Sequence, residues 1–398
     1  MSATDPTANL SWSHKIRLLR RNGEHHARNL LLTFVCFFLR LFSSRKNKGM
    51  TPETDSIQKI LIIKTGRALG DAIVSLVLIP ELQDLFPKAK IDLLLRDNIS
   101  SFFRENSDAD HVLEFHPHFL KRPLASWRLL HHLRVSRYDL VIACDNPYKS
   151  SFTTLCLSIW TDAPWRAGFL NQESQPFLNI AVSPQRGEKV VVNLRKLLLP
   201  LREKNSLRQN EKEDFADKNF LRPQFFVSPY LLAQADRLLS AHPKPVLIFI
   251  TGHWRRSWPL DSFFHVATEL IKHDYPVWLA FGPDDERQQS EAVRHWVEKS
   301  GAFGKVLSPQ PLPLFTAILT RCQLFISNDC GPYHIAVAVG TPSVGIFLSE
   351  DSFREVSYEE PGRFTAVYHA DLAQLERLAI ETSIKLLRHL KEKGPKLC

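Results

Sequence analysis

The stretch NDCGPYHIAVAVGTPSVGIF, residues 328–347, follows the apolar run QLFIS and itself ends in the strand-like run SVGIF. Between these runs, Asp329 and Gly331 predict a turn, Pro332 suits the first turn of a helix, and small apolar residues continue that helix toward Gly340. Free backbone N–H groups at the start of such a helix attract anions. The pattern predicts a strand, a turn and a helix of a parallel α/β sheet, with either an anion site or a simple helix cap at the turn.

Strand-like and helix-like runs alternate on the amino-terminal side of that stretch, in two groups. Aliphatic runs separated by helical runs are typical of parallel strands that are buried on both faces of a sheet. The predicted strands are 57–64, 89–97, 111–115 and 138–145 in the first group, and 245–252, 275–282, 305–308, 323–329 and 343–347 in the second. The predicted helices are 71–86, 123–135, 259–272, 284–300, 312–321 and 371–392. The sequence therefore predicts an α/β protein with two doubly wound units, whose ligands lie beyond the carboxyl ends of the strands.

The two groups of strands set the expected domains. Residues 51–200 form the first α/β unit, residues 241–370 form the second, and residues 371–398 hold a final amphipathic helix. The alternation stops in residues 201–240, a highly charged stretch that we interpret as the connection between the units. The space between two such units is the natural place for a ligand.

The net charge of +9 is concentrated near the amino terminus. Residues 1–50 hold nine lysines and arginines but only two acids, so the rest of the chain is close to neutral and does not indicate a nucleic-acid-binding protein. The apolar stretch LLLTFVCFFLRLF, residues 30–42, is shorter than the roughly 20 residues that cross a bilayer. Two interpretations fit: a helix that lies on an anionic membrane through residues 10–48, or a helix packed on the protein's own surface.

Several common chemistries are disfavoured by the sequence. The six cysteines form neither a C-x-x-C pair nor a zinc-ligand spacing, so we expect free thiols in a reducing compartment. No G-x-G-x-x-G follows the first predicted strand and no G-x-x-x-x-G-K-S/T occurs, which disfavours a nicotinamide enzyme and a P-loop NTPase.

Two loops of the second unit carry charged residues between a strand and a helix. In ITGHWRRSWPLDSF, residues 250–263, Arg255 and Arg256 suit phosphates, although a solvated arginine pair beside a core tryptophan has the same pattern. In FGPDDERQQ, residues 281–289, Glu286 suits a ribose hydroxyl, although acids in a first helical turn also favour the helix dipole.

One loop of the first unit offers a candidate base. In KTGRALGDAIVSLVLIP, residues 64–80, Asp71 lies at the predicted helix start, where it faces the space between the units. A carboxylate there suits proton transfer from an incoming hydroxyl, and equally suits a helix cap.

In their order along the chain, the four loops resemble those of glycosyltransferase family 9, the ADP-heptose:lipopolysaccharide heptosyltransferase type. The resemblance spans about residues 57–350 and rests on ILIIKTGRALGDAIVSLVLIP, RRSWP, FGPDDE and NDCGPYHIAVAVGTPSVGIF. It implies a GT-B fold, in which two Rossmann-like domains face a central cleft, and this chain adds a basic, hydrophobic, predicted helical extension at residues 1–50. Three residues depart from the family pattern: Arg67 replaces a small residue, Cys330 a threonine and Arg256 a lysine.

The resemblance also implies an inverting glycosyltransferase that needs neither a metal nor a cofactor. It would move a heptose from an ADP-sugar to a lipopolysaccharide core or another lipid-linked saccharide, at the cytoplasmic face of the inner membrane. Asp71 matches the general base, and the acceptor-side residues are Lys64, Arg67 and Gly70. The implied donor-side residues are Thr251, Gly252, Arg255, Arg256, Trp258, Glu286, Asp329, Cys330, Gly331, Pro332, Tyr333 and His334. Two alternatives remain open: a catalytically silent nucleotide-binding module, and a nucleotide-sugar epimerase or hydrolase with the same fold.

Overall fold

A computed structural model describes residues 52–118, 121–171, 173–202, 222–241, 244–250, 258–283 and 285–393. The predicted extension at 1–50 and about half of the connection predicted at 201–240, residues 203–221, therefore lie outside the described residues. The same is true of Thr251, Gly252, Arg255 and Arg256.

Two parallel sheets make up the described strands. The first contains β1 Lys59–Lys64, β2 Lys90–Arg96, β3 His111–Phe115, β4 Leu140–Ala143, β5 Trp165–Phe169 and β6 Ile180–Val182. The second contains β7 Val246–Ile250, β8 Val277–Phe281, β9 Gly304–Leu307, β10 Leu324–Asn328, β11 Ser343–Phe347 and β12 Phe364–Tyr368. The strand orders are β3-β2-β1-β4-β5-β6 and β12-β11-β10-β7-β8-β9.

Helices connect these strands along the chain. They are α1 Leu69–Ser75, α2 Leu78–Leu85, α3 Asp97–Asn106, α4 Pro123–Val135, α5 Phe152–Trp160, α6 Val190–Lys196, α7 Leu199–Arg202, α8 Pro229–Leu238, α9 Leu260–Lys272, α10 Glu291–Ser300, α11 Leu312–Arg321, α12 Gly331–Ala338, α13 Glu350–Val356 and α14 Leu372–Lys393. Short 3-10 turns occupy Thr54–Ser56, Glu286–Gln289 and Gly301–Phe303.

The strand order reverses at the centre of each sheet. In the first sheet β1 pairs with β2 on one side and β4 on the other, so that Ile60 lies opposite both Ile91 and Leu140. In the second sheet β7 occupies the equivalent place between β8 and β10. Ligands of doubly wound sheets bind beyond the carboxyl ends of the strands at such a reversal. The loops that follow β1, β4 and β10 are therefore the places to look for a site.

The α/β prediction and the two doubly wound units are confirmed, and three strands were missed. Strands β5, β6 and β12 lie in stretches that the sequence did not predict as strands. The helix predicted at 71–86 is two consecutive helices, α1 and α2, because the chain makes a tight turn at Leu76 and Val77.

The two halves share a continuous apolar core. Side chains of α1 and α2, such as Ile73, pack in the same cluster as Ile335 of α12. The chain that enters the second half binds both halves through its backbone: Phe225 N–H donates to Ala338 O over 3.4 Å, and Phe226 N–H donates to Asn106 O over 3.2 Å. The ring of Phe225 also packs on Phe102, with ring centroids 4.9 Å apart. The carboxyl edges of the two sheets are therefore held close together.

Two further observations bear on the sequence-based expectations. No helix within the described ranges is long and apolar enough to span a bilayer.

The cysteines agree only in part with the prediction of free thiols. Cys144, Cys322 and Cys330 are free thiols as expected, whereas Cys156 is disulfide-bonded.

Candidate functional site

The amino-terminal ends of α1 and α12 meet at the facing edges of the two sheets. A Cβ atom built on Gly70 of α1 would lie 2.5 Å from Cδ2 of His334 in α12. A Cβ atom built on Gly331, the first residue of α12, would lie 3.1 Å from Cδ2 of Leu69. Close approach therefore requires glycine at position 70, and at position 331 a β-carbon would press on the leucine side chain. This contact brings together two loops that lie about 260 residues apart in the sequence and that the family resemblance assigned to one site.

Asp71 projects from the first turn of α1, directly beside this contact. Ala68 is the N-cap residue of α1 and has an extended backbone with no side-chain cap, so Asp71 is the third helical residue and not the cap. Its side chain is exposed and, in the described part of the chain, forms no hydrogen bond or ion pair within the protein. The structure thus rules out the cap interpretation and leaves the carboxylate accessible at the mouth of α1.

The start of α12 also lacks a side-chain cap. Cys330 is the N-cap residue and makes no capping bond, although its Sγ lies 3.1 Å from Oγ of Ser327. Desolvation raises the pKa of the Cys330 thiol to about 12, so the thiol is neutral at physiological pH. Pro332 is the second residue of the helix, and the N–H of Tyr333 donates to Cys330 O over 3.1 Å. The cap alternative therefore has no support here, and the anion site at this turn stays a prediction.

His334 is held firmly inside this junction. Its Nδ1 lies 3.0 Å from the hydroxyl of Tyr358, and its Nε2 lies 3.7 Å from Oδ1 of Asp329. The hydroxyl of Tyr333 in turn accepts a bond from Tyr358 N–H over 3.3 Å. Burial raises the pKa of both tyrosines, which keeps the two phenols neutral. The imidazole therefore has a fixed orientation, with one edge toward Tyr358 and the other toward Asp329.

Two predicted donor residues have buried side chains. Tyr333 is fully buried and its ring lies against Gly345, where a Cβ atom would come within 2.8 Å of the phenol oxygen. Trp258 is 1% exposed and packs edge-on against Phe263, with ring centroids 5.2 Å apart. Both rings belong to the core of the second half, as the alternative interpretation of the tryptophan proposed.

The predicted acceptor-side residues Lys64 and Arg67 lie at the carboxyl end of β1, where Lys64 is the last residue of the strand and Arg67 belongs to the loop that follows. Lys64 is 6% exposed, and its charge acts on Cys144 and Asp145 at the end of the neighbouring strand β4. Arg67 is exposed, and its positive charge acts on Arg96 at the end of β2, the pKa of which is lowered mainly by burial. The carboxyl edge of the first sheet therefore carries both cations and acids.

Asp145 is a buried acid of the site that the sequence analysis did not single out. Its carboxylate accepts hydrogen bonds from Ser151 N–H over 2.8 Å and from the hydroxyl of Thr154 over 2.9 Å. The hydroxyl of Thr154 also lies 2.9 Å from that of Thr65, which follows β1. Burial raises the pKa of Asp145 to about 6, although these hydrogen bonds and the charge of Lys64 oppose the shift. The network ties the loop after β1 to the start of α5.

The loop after β8 holds an ion pair at its helix start. Asp285 caps the 3-10 turn by accepting from Arg287 N–H over 3.1 Å, and its other carboxylate oxygen lies 2.7 Å from the Arg287 guanidinium. The hydrogen bond from Arg287 lowers the pKa of Asp285. The backbone of Glu286 lies in this turn, and its side chain is outside the described residues. In the described part of the chain, no group of three or more His, Cys, Asp or Glu side chains is arranged to hold a metal ion.

The sequence analysis did not single out two residues of this site, Asp145 and Tyr358, for different reasons. An acid directly after the apolar run of β4 is a recognisable feature of a strand end in a parallel sheet, so Asp145 was accessible to sequence reasoning. Tyr358 lies in the connection before β12, 24 residues after His334, and no local pattern marks it. Its role depends on how that connection folds back over α12.

A family comparison covers most of both halves. The sequence pattern of glycosyltransferase family 9 (heptosyltransferase) matches residues 126–367, which is more than half of the chain. Lipopolysaccharide heptosyltransferase 3 of Escherichia coli K12 is 25% identical over 294 residues, covering 71% of this chain and 80% of that protein. Lipooligosaccharide heptosyltransferase 2 of Haemophilus ducreyi is 24% identical over 301 residues, covering 71% of this chain and 81% of that protein.

Solved structures share the architecture. The E. coli ADP-heptose lps heptosyltransferase II has a TM-score of 0.64 at 20% identity, covering 85% of this chain and 100% of that chain. The E. coli heptosyltransferase WaaC with ADP-2-deoxy-2-fluoro heptose has a TM-score of 0.56 at 15% identity, covering 82% of this chain and 99% of that chain.

Two parallel α/β sheets with polar loops at their facing edges make up a GT-B-like fold. The chain belongs to glycosyltransferase family 9, so the predicted family and the predicted enzyme class are confirmed.

Proposed function

We propose that this enzyme is an inverting, metal-independent heptosyltransferase that uses an ADP-sugar and a lipid-linked saccharide such as a lipopolysaccharide core. The observation that carries the proposal is the exposed Asp71 carboxylate at the mouth of α1, next to the uncapped start of α12. A base and an anion site on opposite sides of one gap are what an inverting transfer requires. The names of the relatives support heptose and lipopolysaccharide as the sugar and the acceptor class.

The proposed reaction is a single in-line displacement. Asp71 takes the proton of an acceptor hydroxyl while that oxygen attacks the anomeric carbon of the donor. The bond between that carbon and the diphosphate oxygen breaks, and the nucleoside diphosphate leaves with the electron pair. Attack on the face opposite the leaving group inverts the anomeric configuration.

Charge on the departing diphosphate would be stabilised from the second half. The start of α12 offers the backbone N–H of Gly331 and the positive end of the helix dipole. Arg255 and Arg256 remain the proposed cationic partners from the loop after β7. His334 and Asp329 form a rigid wall of this site, and we assign Asp329 to sugar hydroxyls, because a carboxylate repels a diphosphate.

The proposed acceptor side is the carboxyl edge of the first sheet. Lys64 and Arg67 supply positive charge for an anionic saccharide, and Gly70 allows the two helix starts to come together. The proposed location is the cytoplasmic face of the inner membrane, with residues 10–48 in contact with anionic lipid.

Ligand screening followed by product analysis tests the proposal. Thermal unfolding is measured with ADP, UDP, GDP and their sugars, because a ligand that binds the folded state raises the melting temperature by mass action. We expect the largest rise with ADP and ADP-heptose. The reaction products with and without acceptor are then separated and their anomeric configuration is determined.

The outcomes distinguish the candidate functions. A new glycosidic bond of inverted configuration that forms only with acceptor supports the proposal. An altered sugar nucleotide without acceptor indicates an epimerase, free sugar indicates a hydrolase, and nucleotide binding without any product indicates a silent module. Each of these three results would overturn the proposed transfer.

A further inference from the structure

The outward face of α4 is apolar and basic at the same time. Leu124 is 73% exposed, Trp127 is 64% exposed and Val135 is 55% exposed, and these are three of the seven large apolar side chains that stand exposed in the described residues. The opposite face of α4 is used for folding, since Leu133 is fully buried and Leu129 and Leu130 pack against the same cluster. The helix thus has apolar side chains toward the core and toward the outside.

The charged residues of the stretch that contains α4 are all basic. From His116 to Arg137 the chain contains no aspartate or glutamate, and the basic residues of this stretch are Lys121, Arg122, Arg128, Arg134 and Arg137. Arg134 is neutralised by Asp162, with 3.1 Å between Nη2 and Oδ2. The side chains of Lys121, Arg122 and Arg128 are exposed at the first half of the helix, near Leu124 and Trp127.

Trp127 is also preorganised. Its indole stacks on the ring of His131, with centroids 5.2 Å apart and planes 9° apart. A tryptophan held next to a leucine and flanked by arginines is typical of side chains that enter the headgroup region of a bilayer.

The exposed face of α4 lies near the carboxyl edge of the first sheet. The helix connects the carboxyl end of β3 to the amino end of β4, so its first turns lie at the edge of the sheet that carries Lys64 and Arg67. The exposed Leu124 and Trp127 belong to these first turns. A surface that contacts this face is therefore on the same side of the first half as the proposed acceptor site.

We propose that the face of α4 formed by Leu124, Trp127, Arg122 and Arg128 is a docking surface for an anionic lipid bilayer. Two apolar side chains enter the headgroup boundary while the arginines bind lipid phosphates. This contact is separate from the one proposed for residues 10–48. It rests on the proposed function only for the idea that the acceptor is lipid-linked, and vesicle binding is measured without donor or acceptor, so that the two proposals fail independently.

The first test is vesicle sedimentation with the full chain. Vesicles of phosphatidylglycerol and phosphatidylcholine are compared with vesicles of phosphatidylcholine alone. The double variants Leu124→Gln/Trp127→Gln and Arg122→Gln/Arg128→Gln are each expected to weaken binding to the anionic vesicles at least tenfold. The control Tyr230→Gln/Leu372→Gln removes two similarly exposed apolar side chains, 71% and 49% exposed, from the second half and is expected to leave binding unchanged. Turnover of a soluble acceptor verifies that the variants are folded.

The second test locates Trp127 directly. Brominated lipids quench tryptophan fluorescence at short range, and Trp127→Leu keeps an apolar side chain while it removes this fluorophore. We expect the quenched part of the emission to fall in Trp127→Leu compared with the wild type at equal vesicle binding.

Three results would overturn the inference. The first is unchanged binding in both α4 double variants, and the second is an unchanged quenched fraction in Trp127→Leu. The third is a change of mass by light scattering in Leu124→Gln/Trp127→Gln, with no change in vesicle binding, which would indicate a second copy of the chain as the occupant of this face.

Discussion

Gly70 lies so close to His334 that a β-carbon on the glycine would overlap the imidazole, at 2.5 Å from Cδ2 and 2.9 Å from Nε2. The ring has no easy way to move, because Nδ1 is hydrogen-bonded to Tyr358. Gly70 has a helical backbone that alanine adopts without strain, so a substitution there tests this contact alone.

Gly70→Ala is expected to separate the starts of α1 and α12. Overpacking of this kind costs about 1–3 kcal/mol of unfolding free energy. Because the proposed base, Asp71, and the proposed donor site lie on opposite sides of the contact, kcat/KM should also fall, by at least tenfold. Gly66→Ala is the matched control in the same loop, since its β-carbon would meet no atom closer than 3.8 Å. Equal stability and activity for the two variants would show that the contact between Gly70 and His334 does not hold the two helix starts in place.

Asp71→Asn is expected to lower kcat by roughly 10²–10⁴-fold while nucleotide binding persists. The amide keeps the shape of the side chain but accepts no proton. Steady-state kinetics gives the rate, and thermal shift with ADP gives the retained binding. Asp84→Asn, an exposed acid on α2, is the control that should leave kcat unchanged. A loss smaller than tenfold for Asp71→Asn would exclude it as the base.

Tyr358→Phe is expected to release His334 from its fixed orientation. Removal of the phenol leaves Nδ1 of a buried imidazole without that partner, which costs about 1–3 kcal/mol. If the orientation of the ring serves donor binding, KM for the donor should rise more than kcat falls. Urea unfolding and steady-state kinetics measure the two effects, with Tyr230→Phe as an exposed control. If KM for the donor is unchanged while stability falls, the hydrogen bond between Tyr358 and His334 stabilises the fold and does not contribute to donor binding.

Asp145→Asn is expected to change how stability depends on pH. The pKa of Asp145 is raised to about 6 in the folded protein, above the ordinary value of 3.8, so the folded state binds this proton more tightly than the unfolded state. Its stabilising contribution is complete below about pH 4 and is lost as pH rises through about 6. Over that window the variant should gain about 3 kcal/mol relative to the wild type.

The measurement for Asp145 is the free energy of unfolding in urea at pH 4 and pH 7.5 for both proteins. The difference between them isolates this carboxyl from the other groups that titrate. Thr154→Ser keeps the hydroxyl that donates to Asp145 and should retain the wild-type pH dependence. If the free energy of unfolding changes by the same amount between pH 4 and pH 7.5 in the variant and the wild type, the pKa of Asp145 is not raised in the folded protein.

The sequence predicted strands well where burial on both faces produces an unbroken apolar run, as in β1 and β10. It failed at β5, WRAGF, because a charged residue interrupts the pattern. Arg166 is nevertheless buried, and its guanidinium donates to Phe177 O over 2.9 Å and to Ala163 O over 2.7 Å. Burial lowers the pKa of Arg166. These acceptors come from elsewhere in the fold, so a local pattern does not reveal that the arginine fits a strand.

The same limit applies to the site. Strand, turn and helix patterns identified the loops that hold Asp71 and His334, because those signals are local. The contact between Gly70 and His334 depends on how two separately predicted units pack, and the bond from Tyr358 depends on a distant connection. Sequence reasoning thus found the pieces of the site and not the interactions that fix their geometry.

Helix α12 belongs to the second half by its chain connections, yet both of its ends are in contact with the first half or with residues packed on it. Leu69 and Gly70 press against its start, and Phe225, whose ring packs on Phe102, binds the carbonyl of Ala338 at its end. Separation of the two halves around α12 therefore has to break the contacts at both of its ends. A domain movement that admits a bulky saccharide would break both contacts in one cooperative step, or else α12 would stay with the first half and detach from the second.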